Sequence, residues 1–348
     1  MGGKLRISLR DVGRAAGVSH VTVSLALRNH PDVSVKTRKR IQDLAASLGY
    51  KPDPMLRALA EYRRTKEQAR HQGVLAWINY YANPAELETN YEFSLFHKGA
   101  EMRAAELGYK LTSFQPTADN IEPGRLKRIL ASRGIQGILL PPQPRPHTIM
   151  DFDFSGFAAI TFGFTLQSPQ FHVISNVQFR TSMIAFRQLH SYGFKRIGFV
   201  ITRSLNERTE GTFLGGYLSE QAKLAREAQV PILLWDAGVK ELKQFRSWRK
   251  EHQPDAILTD KDSLALIAVD CRKQNIRIPE DLSVASLTVG PPAQGLAGMD
   301  QNDFEIGRVA VDTLVGMLYR NQLGIPEIPL RILVEGAWRD GATVRRPA

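Results

Sequence analysis

The sequence predicts a small all-α head followed by a larger α/β body with two lobes. Short capped helices fill the first 50 residues, whereas beyond Gly73 apolar strand segments alternate with amphipathic helices. Such alternation is typical of a parallel sheet. A chain of 348 residues with 43% hydrophobic content is long enough for both parts. We therefore predict a head over residues 1–52, a hinge helix and linker over 53–72, and a body over 73–348.

Positive charge is concentrated in the head. Residues 1–70 hold 15 Lys and Arg against 6 Asp and Glu, whereas the remaining 278 residues hold 31 against 29. A basic head on a nearly neutral body suggests contact with a polyanion, because phosphate neutralisation drives nucleic-acid binding. On composition alone, a solubilising basic tail is the alternative.

Several classes of protein fit the sequence poorly. It contains no apolar run of membrane-spanning length and no secretory leader at Met1–Arg10, and its single cysteine, Cys271, suits a reducing compartment. We therefore expect a cytoplasmic protein with no membrane partner. The catalytic motifs GxSxG, GxxxxGK[ST], HExxH and GxGxxG are absent, and the eight histidines do not cluster. An α/β enzyme is thus disfavoured, and we expect no catalytic residues, metal or cofactor.

The head predicts three helices with glycine stops. Ser8 and Asp11 form a capping box before a helix over Leu9–Ala16, and Ser19 caps a second helix that ends near Leu27. Ser34 caps a third helix that ends near Ser47. The first two, joined at Gly17, have the spacing of a helix-turn-helix, whose second helix reads the major groove of DNA. An ordinary three-helix packing unit is the alternative.

The body predicts two series of strands and helices, one for each lobe. Lobe 1 is assigned to about 73–165 and 300–323, and lobe 2 to about 166–299 and 324–340. The predicted strands are Val74–Ile78, Lys110–Phe114, Gly137–Leu140, Ala158–Phe162, Ile197–Ile201, Ile232–Trp235, Ala256–Leu258, Val284–Leu287 and Leu330–Glu335. The predicted helices lie near 92–107, 123–132, 178–191, 211–228, 239–251, 262–274 and 304–319.

The head resembles the lactose/galactose-repressor family of bacterial transcription regulators. The matching segments are Ser8–Val12, Ala15–Ser19, Thr22–Ser24, Val33–Ser34, Lys36–Arg38 and Leu48–Pro52. The body resembles the family more weakly. The resemblance implies a helix-turn-helix head, a hinge helix and a periplasmic-binding-protein-like sensor. It also implies a homodimer that binds a palindromic double-stranded DNA operator, usually as a repressor, under the control of a small-molecule effector.

The resemblance also implies which head residues contact DNA. His20 and Val21 fall where the family's main specificity residues lie. Leu25 stands where the family usually has Arg, so we expect apolar contact in place of a bidentate grip on guanine. The remaining expected contacts in the head are Ser8, Ser19, Thr22, Ser24, Arg28, Ser34, Thr37 and Arg38. For residues 36–40 the alternative is a solvated basic face.

The segment Asp53–Leu59 resembles the family's hinge helix. Arg57 and Leu59 keep their places, whereas Asp53 and Leu56 replace the usual Asn and Ala. The resemblance implies that Leu59 wedges into a central base step from the minor groove. A plain interdomain linker helix is the alternative.

Ligands of open parallel sheets bind beyond the carboxyl ends of the strands, so we expect the effector in the cleft between the lobes. Lys261–Asp262 stands where sugar-sensing relatives have Asn-Asp, and Ser286–Thr288 replaces a Gly-aromatic-Asp turn. A sugar or sugar derivative, an acid and a phosphate all stay open as effectors. The expected effector contacts are Tyr80, Phe162, Arg208, Trp235, Lys261, Asp262 and Thr288.

Two alternatives share the lobed architecture. A solute-binding protein would use the same body, but the basic head and the lack of a secretory leader argue against it. An activator would use the same head and the same cleft. The sequence does not distinguish activation from repression.

Overall fold

A computed structural model describes residues 9–27, 32–50, 73–292 and 295–346 of the chain. The head contains α1 (Leu9–Ala16), α2 (His20–Leu27) and α3 (Val35–Ser47), as predicted. Their apolar faces meet in one core, since Val12, Val23, Ala26 and Ile41 are fully buried there. This packing fixes the direction of α2. The predicted hinge helix, with Arg57 and Leu59, lies outside the described residues, as do Ser8 and Arg28.

Lobe 1 is built on a six-stranded sheet with strand order β13-β7-β5-β3-β1-β2. Every neighbouring pair in this sheet is parallel. Its strands are β1 (Gly73–Ile78), β2 (Tyr109–Phe114), β3 (Gly137–Leu140), β5 (Ala158–Phe162), β7 (His172–Asn176) and β13 (Arg331–Val334). A short ribbon of β4 (Thr148–Ile149) and β6 (Leu166–Ser168) lies beside it.

Lobe 2 repeats this plan with strand order β14-β12-β11-β10-β8-β9. All of its pairs are parallel except the one between β12 and the edge strand β14. Its strands are β8 (Ile197–Thr202), β9 (Leu233–Trp235), β10 (Ala256–Thr259), β11 (Ser283–Ser286), β12 (Gly298–Asp300) and β14 (Ala337–Arg339).

Helices cover both faces of each sheet, so the central strands are buried on both sides and read as apolar runs. The helices of lobe 1 are α4 (Ala85–Glu88), α5 (Tyr91–Glu106), α6 (Pro123–Ser132) and α12 (Asp303–Tyr319). Those of lobe 2 are α7 (Gln178–Ser191), α8 (Arg203–Arg208), α9 (Thr212–Gln221), α10 (Leu242–His252) and α11 (Lys261–Lys273), with a 3₁₀ turn at Arg226–Ala228. Within the described residues, no helix is long and apolar enough to span a bilayer.

The predicted lobe boundaries need correction. Strand β7 pairs with β5 through Ile160 and His172, and β13 pairs with β7 through Val173 and Arg331. Residues 166–176 and 324–334 therefore belong to lobe 1, although they were assigned to lobe 2. The physical reason is hydrogen bonding, because these strands complete the ladder of the first sheet. The chain thus crosses between the lobes three times, near residues 177, 301 and 335.

One buried side chain ties the crossovers near residues 177 and 301 together. Gln301 Oε1 accepts hydrogen bonds from Asn176 Nδ2 at 2.8 Å and from Thr181 Oγ1 at 3.1 Å. Its Nε2 donates to the Leu287 carbonyl. Nearby, Asn302 Nδ2 donates to the Glu335 carbonyl at 2.7 Å. The junction of the lobes is therefore a hydrogen-bonded unit and not a loose linker.

Candidate nucleic-acid interface and interlobe cleft

The first two helices of the head form a tight helix-turn-helix. The turn lies directly on α1, because a Cβ atom at Gly13 would come within 2.8 Å of the Val18 carbonyl oxygen. Val18 N also donates to Gly13 O at 3.0 Å, and Gly17 takes a φ of +67° between the helices. Glycine is needed at both positions, at 13 for the close approach and at 17 for the left-handed backbone.

The amino end of α2 is fixed by a cap and presents its first residues to solvent. Ser19 Oγ accepts a hydrogen bond from Thr22 N at 3.1 Å and lies 2.9 Å from Thr22 Oγ1. Ser19 and His20 are exposed, whereas Val23 and Ala26 anchor the helix in the core. This is the arrangement that a recognition helix needs, since its amino-terminal side chains reach base edges.

Leu25, which we expect to make apolar contact with DNA, is only partly accessible. It is half-buried and packs against the head core, so only part of its side chain is available to DNA. The side chains of Val21 and Ser24, which were predicted to contact DNA, lie outside the described part of the structure.

The predicted contacts on α3 have structural roles of their own. Ser34 Oγ caps the helix by accepting from Thr37 N at 3.3 Å, and it donates to Thr37 Oγ1 at 2.8 Å. Arg38 Nη2 donates to the Val33 carbonyl at 3.1 Å. Exposed Lys36 and Lys39 lie on the same helix, within the basic run 36–40 for which the sequence left phosphate contact and a solvated face as alternatives.

A cleft of about 720 Å³ lies where the carboxyl ends of the two sheets face each other. Four of the predicted effector contacts line it, namely Arg208, Lys261, Asp262 and Thr288. The other lining residues are Tyr81, Glu86, Asn90, Glu92 and Phe93 from lobe 1, and Thr202, Ser204, Leu205, Asp236, Ala237, Glu241 and Asp260 from lobe 2.

The other three predicted contacts are placed differently. Phe162 is fully buried in the core of lobe 1, where it stacks on Phe96 with ring centroids 5.4 Å apart. Trp235 is fully buried in lobe 2, and its Nε1 donates to Ser263 Oγ at 2.9 Å. Both side chains turn into their lobes and away from the cleft. Tyr80 packs against a lobe 1 core, and burial raises its pKa to about 12.

Three polar cleft residues also begin helices there. Asn90 Oδ1 accepts from Phe93 N, Thr202 Oγ1 accepts from Leu205 N, and an Asp260 oxygen accepts from Ser263 N. These caps orient the amino ends of α5, α8 and α11 at the cleft. Burial raises the pKa of Asp260, and hydrogen bonds from Ser263 and from Thr202 N oppose that shift.

Two contacts cross the cleft between the lobes. Lys261 Nζ lies 3.5 Å from Glu92 Oε1, and Arg208 Nη1 donates to the Pro144 carbonyl at 3.1 Å. Glu92 was not identified from the sequence. Its one signal was its position near the start of a helix that follows the first strand of the body.

Comparisons with known proteins agree with both halves of this description. Residues 8–53 match the bacterial regulatory proteins of the lacI family, and residues 186–337 match the periplasmic binding protein-like domain. The repressor CytR of Escherichia coli strain K12 is 26% identical over 342 residues, which span 91% of each chain. The repressor PurR of Haemophilus influenzae strain PittEE is 25% identical over 339 residues, which span 92% of this chain and 94% of that protein.

Solved structures share the whole fold. The regulator CelR in complex with cellobiose superposes with a TM-score of 0.57 at 19% identity, and covers 97% of this chain and 100% of its own. The lac repressor dimer bound to operator and the anti-inducer ONPF gives 0.56 at 18% identity, and covers 97% and 99%. The chain is thus a helix-turn-helix transcription regulator with a periplasmic-binding-protein-like body. Its head matches the lacI family of bacterial regulatory proteins, and its body matches the periplasmic binding protein-like domain.

Proposed function

We propose that this chain is a repressor that binds a palindromic operator as a homodimer and responds to a small molecule in the interlobe cleft. The observation on which the proposal rests is the orientation of α2, whose amino end faces solvent. Its capped amino end exposes Ser19 and His20, while Val23 and Ala26 fix the opposite face in the core. A dimer would place two such helices on half-sites about 34–36 Å apart, one turn of DNA.

The charge distribution supports the same function. Residues 1–70 carry 15 basic against 6 acidic residues, so phosphate contacts supply affinity whatever the base sequence. Relatives named as repressors, CytR and PurR, align over nearly the whole chain. The structurally similar lac repressor was solved as a dimer on its operator. Repression is therefore the direction of regulation that we propose.

Individual residues take different parts in the proposed complex. His20, Val21 and Leu25 read base edges, and Ser19, Thr22 and Ser24 contact bases or phosphates from the same helix. Ser34, Thr37 and Arg38 contact the DNA backbone from the start of α3, where hydrogen bonds between Ser34 and Thr37 and from Arg38 to the Val33 carbonyl hold these side chains in place. Ser8, Arg28, Arg57 and Leu59, which lie outside the described residues, complete the proposed set, with Leu59 as the minor-groove wedge.

The effector is proposed to bind between Arg208, Lys261, Asp262 and Thr288, which come from lobe 2, and the lobe 1 residues that face them. A ligand that contacts both lobes changes their relative stability in the open and closed arrangements. That change would reach the operator through residues 53–72, which connect the body to the head. Effector binding and operator binding are then linked by one coupling free energy.

The test is fluorescence anisotropy of the full-length protein with palindromic duplexes, at two salt concentrations, combined with light scattering. We expect a dimer whose affinity falls steeply with salt and whose preference among duplexes changes in His20→Ala. As a matched control, Ser47→Ala alters an exposed residue at the far end of α3 and should leave the preference unchanged. A monomer at working concentrations, or His20→Ala with an unchanged duplex preference, contradicts the proposal.

A further inference from the structure

A second cavity of about 370 Å³ adjoins the cleft at the junction of the lobes. Neighbouring residues line the two cavities: Tyr91 lines this one, whereas Asn90 and Glu92 line the cleft. Its walls come from both lobes, with α5 and the start of α12 on one side. Its lining includes Tyr91 from α5, Asp303, Phe304 and Glu305 from α12, and Asp300 from β12.

Asp303 is the residue of this cavity whose surroundings indicate that a ligand binds there. The residue is only 7% exposed, and no hydrogen bond or ion pair from the described residues reaches its carboxyl group. The pKa of Asp303 is raised to about 8, chiefly by burial and also by the charges of Glu92 on α5 and Asp300 on β12, whereas Lys261 on α11 opposes the shift. Buried carboxyl groups are ordinarily paired or hydrogen-bonded, because a bare one is costly.

The close packing of α5 and α12 fixes Asp303 in position. A Cβ atom at Gly99 would come within 2.0 Å of the Phe304 carbonyl oxygen, and one at Gly307 within 2.1 Å of the Phe96 carbonyl oxygen. Only glycine permits two helices to approach this closely. The first turn of α12 is therefore held rigidly at the wall of the cavity, so an incoming ligand meets a carboxyl group that is already in place.

The charge around the cavity selects the sign of the ligand. Three of the residues that line the cavity are acidic, and no lining residue is basic. Asp300 and Glu305 have arginine partners outside the lining, Arg339 at 3.6 Å and Arg308 at 3.5 Å. A helix amino end by itself favours an anion, but α12 carries Asp303 and Glu305 in its first turn, which reverses that preference.

The aromatic residues that line the cavity favour an organic cation. Tyr91 and Phe304 line the cavity together with Asp303, and aromatic faces attract organic ammonium groups. Among the described residues, no group of three or more His, Cys, Asp or Glu side chains is arranged to hold a metal ion. From these observations we infer that the cavity binds a small organic cation, whose ammonium group pairs with the carboxylate of Asp303.

Such a ligand would also affect the contact between the lobes. Glu92 and Lys261 pair across the main cleft, and both act on Asp303 through charge. A cation beside Asp303 would also attract the Glu92 carboxylate, and would thereby weaken the ion pair between Glu92 and Lys261. This regulatory consequence rests on the proposed function, whereas binding of the cation does not.

The experiment is isothermal titration of the full-length protein with two amines and their neutral analogues. The probes are choline against 3,3-dimethyl-1-butanol and putrescine against 1,4-butanediol. We expect at least one amine to bind and both neutral analogues to fail. Asp303→Asn should weaken that amine at least tenfold, whereas the matched variant Glu101→Gln, at an exposed acidic residue of α5 outside the cavity lining, should change its affinity less than threefold.

The pH dependence supplies a readout that a merely structural role would not produce. A cation that pairs with Asp303 favours its ionised form, so binding should release a proton and tighten by about tenfold per pH unit from 6 to 8. In Asp303→Asn that dependence should disappear, while circular dichroism shows the same folded state. Equal binding of an amine and its neutral analogue, no binding by either amine, or undiminished binding by a folded Asp303→Asn protein would overturn the inference. If choline or putrescine binds as expected but leaves operator affinity unchanged, only the regulatory link fails.

Discussion

Lys261 Nζ lies 3.5 Å from Glu92 Oε1, so the first residue of α11 in lobe 2 is paired with the second residue of α5 in lobe 1. Both side chains are partly shielded, with exposures of 31% and 20%. Together with the bond from Arg208 to the Pro144 carbonyl, this pair joins the lobes directly across the cleft. The two contacts therefore favour the closed arrangement of the lobes.

Loss of this pair should open the cleft. We expect Lys261→Met to increase the radius of gyration measured by small-angle X-ray scattering, because one of the two contacts described across the cleft is lost. The pair is partly exposed, so its coupling energy in a double-mutant cycle with Glu92→Gln should be on the order of 1 kcal/mol or less. Lys273→Met, at the opposite end of the same helix, is the matched control. An unchanged scattering profile and zero coupling would show that the pair does not hold the lobes.

The crossovers should depend strongly on Gln301. Gln301→Leu removes the acceptor of Asn176 Nδ2 and Thr181 Oγ1 and the donor to the Leu287 carbonyl. Each polar group left buried without a partner costs about 1–3 kcal/mol. We expect urea unfolding to show a loss of at least that size, with Gln244→Leu, an exposed glutamine on α10, close to the parent protein. Equal stability of the two variants would contradict this role for Gln301.

In the head, different residues should determine the stability of the fold and the preference for a DNA sequence. Ile41 is fully buried, so Ile41→Ala should destabilise the head by about 2–5 kcal/mol and weaken binding to every duplex alike. Exposed His20, in contrast, should tolerate Ala with little change in thermal stability while the preferred base changes. Thermal melts and anisotropy with a panel of single-base variants check both. A large stability loss in His20→Ala would mean that His20 supports the fold instead.

The stability of the body should depend on the ionisation of Asp303. Its pKa rises from 3.8 to about 8 on folding, so the stabilising contribution of the protonated form is complete below pH 4 and is lost as the pH rises towards 8. Asp303→Asn is always neutral. Its Tm relative to the parent protein should therefore increase from pH 5 to pH 8 and level off above that. A pH-independent difference would show that the carboxyl group is not buried as described.

Much of the fold could be predicted from local pattern. The strands at Gly137–Leu140 and Ala158–Phe162 and the helices at Pro123–Ser132 and Gln178–Ser191 begin and end where their apolar runs and caps indicate. Strand β7 was missed because His172–Asn176 carries a histidine and a serine. Only pairing with β5 and β13 makes it a strand, and no local signal reports a partner that lies 158 positions away.

The cleft was predicted in place but only partly in its residues. The rule that ligands lie beyond strand ends located Arg208, Lys261, Asp262 and Thr288 correctly at the cleft. This rule, however, identifies only the edge of the sheet at which a ligand binds. It does not predict the direction in which a side chain points. Phe162 and Trp235 are the last residues of their strands, and alternation along the strand turns both into the cores. Asp303 was not identified from the sequence, because its importance depends on the burial of its carboxyl group. Burial of a single side chain cannot be determined from the sequence alone.

The most direct test of a DNA-reading repressor is selection of bound duplexes from a random library by the full-length protein, compared with Leu59→Ala and His20→Ala. We expect one palindromic sequence to be enriched, with half-sites about one helical turn apart. Leu59→Ala should bind that sequence more weakly, and His20→Ala should enrich altered half-sites. Enrichment of no sequence, with binding that only fades as salt increases, would mean that the basic head attracts DNA without reading it and would contradict the account.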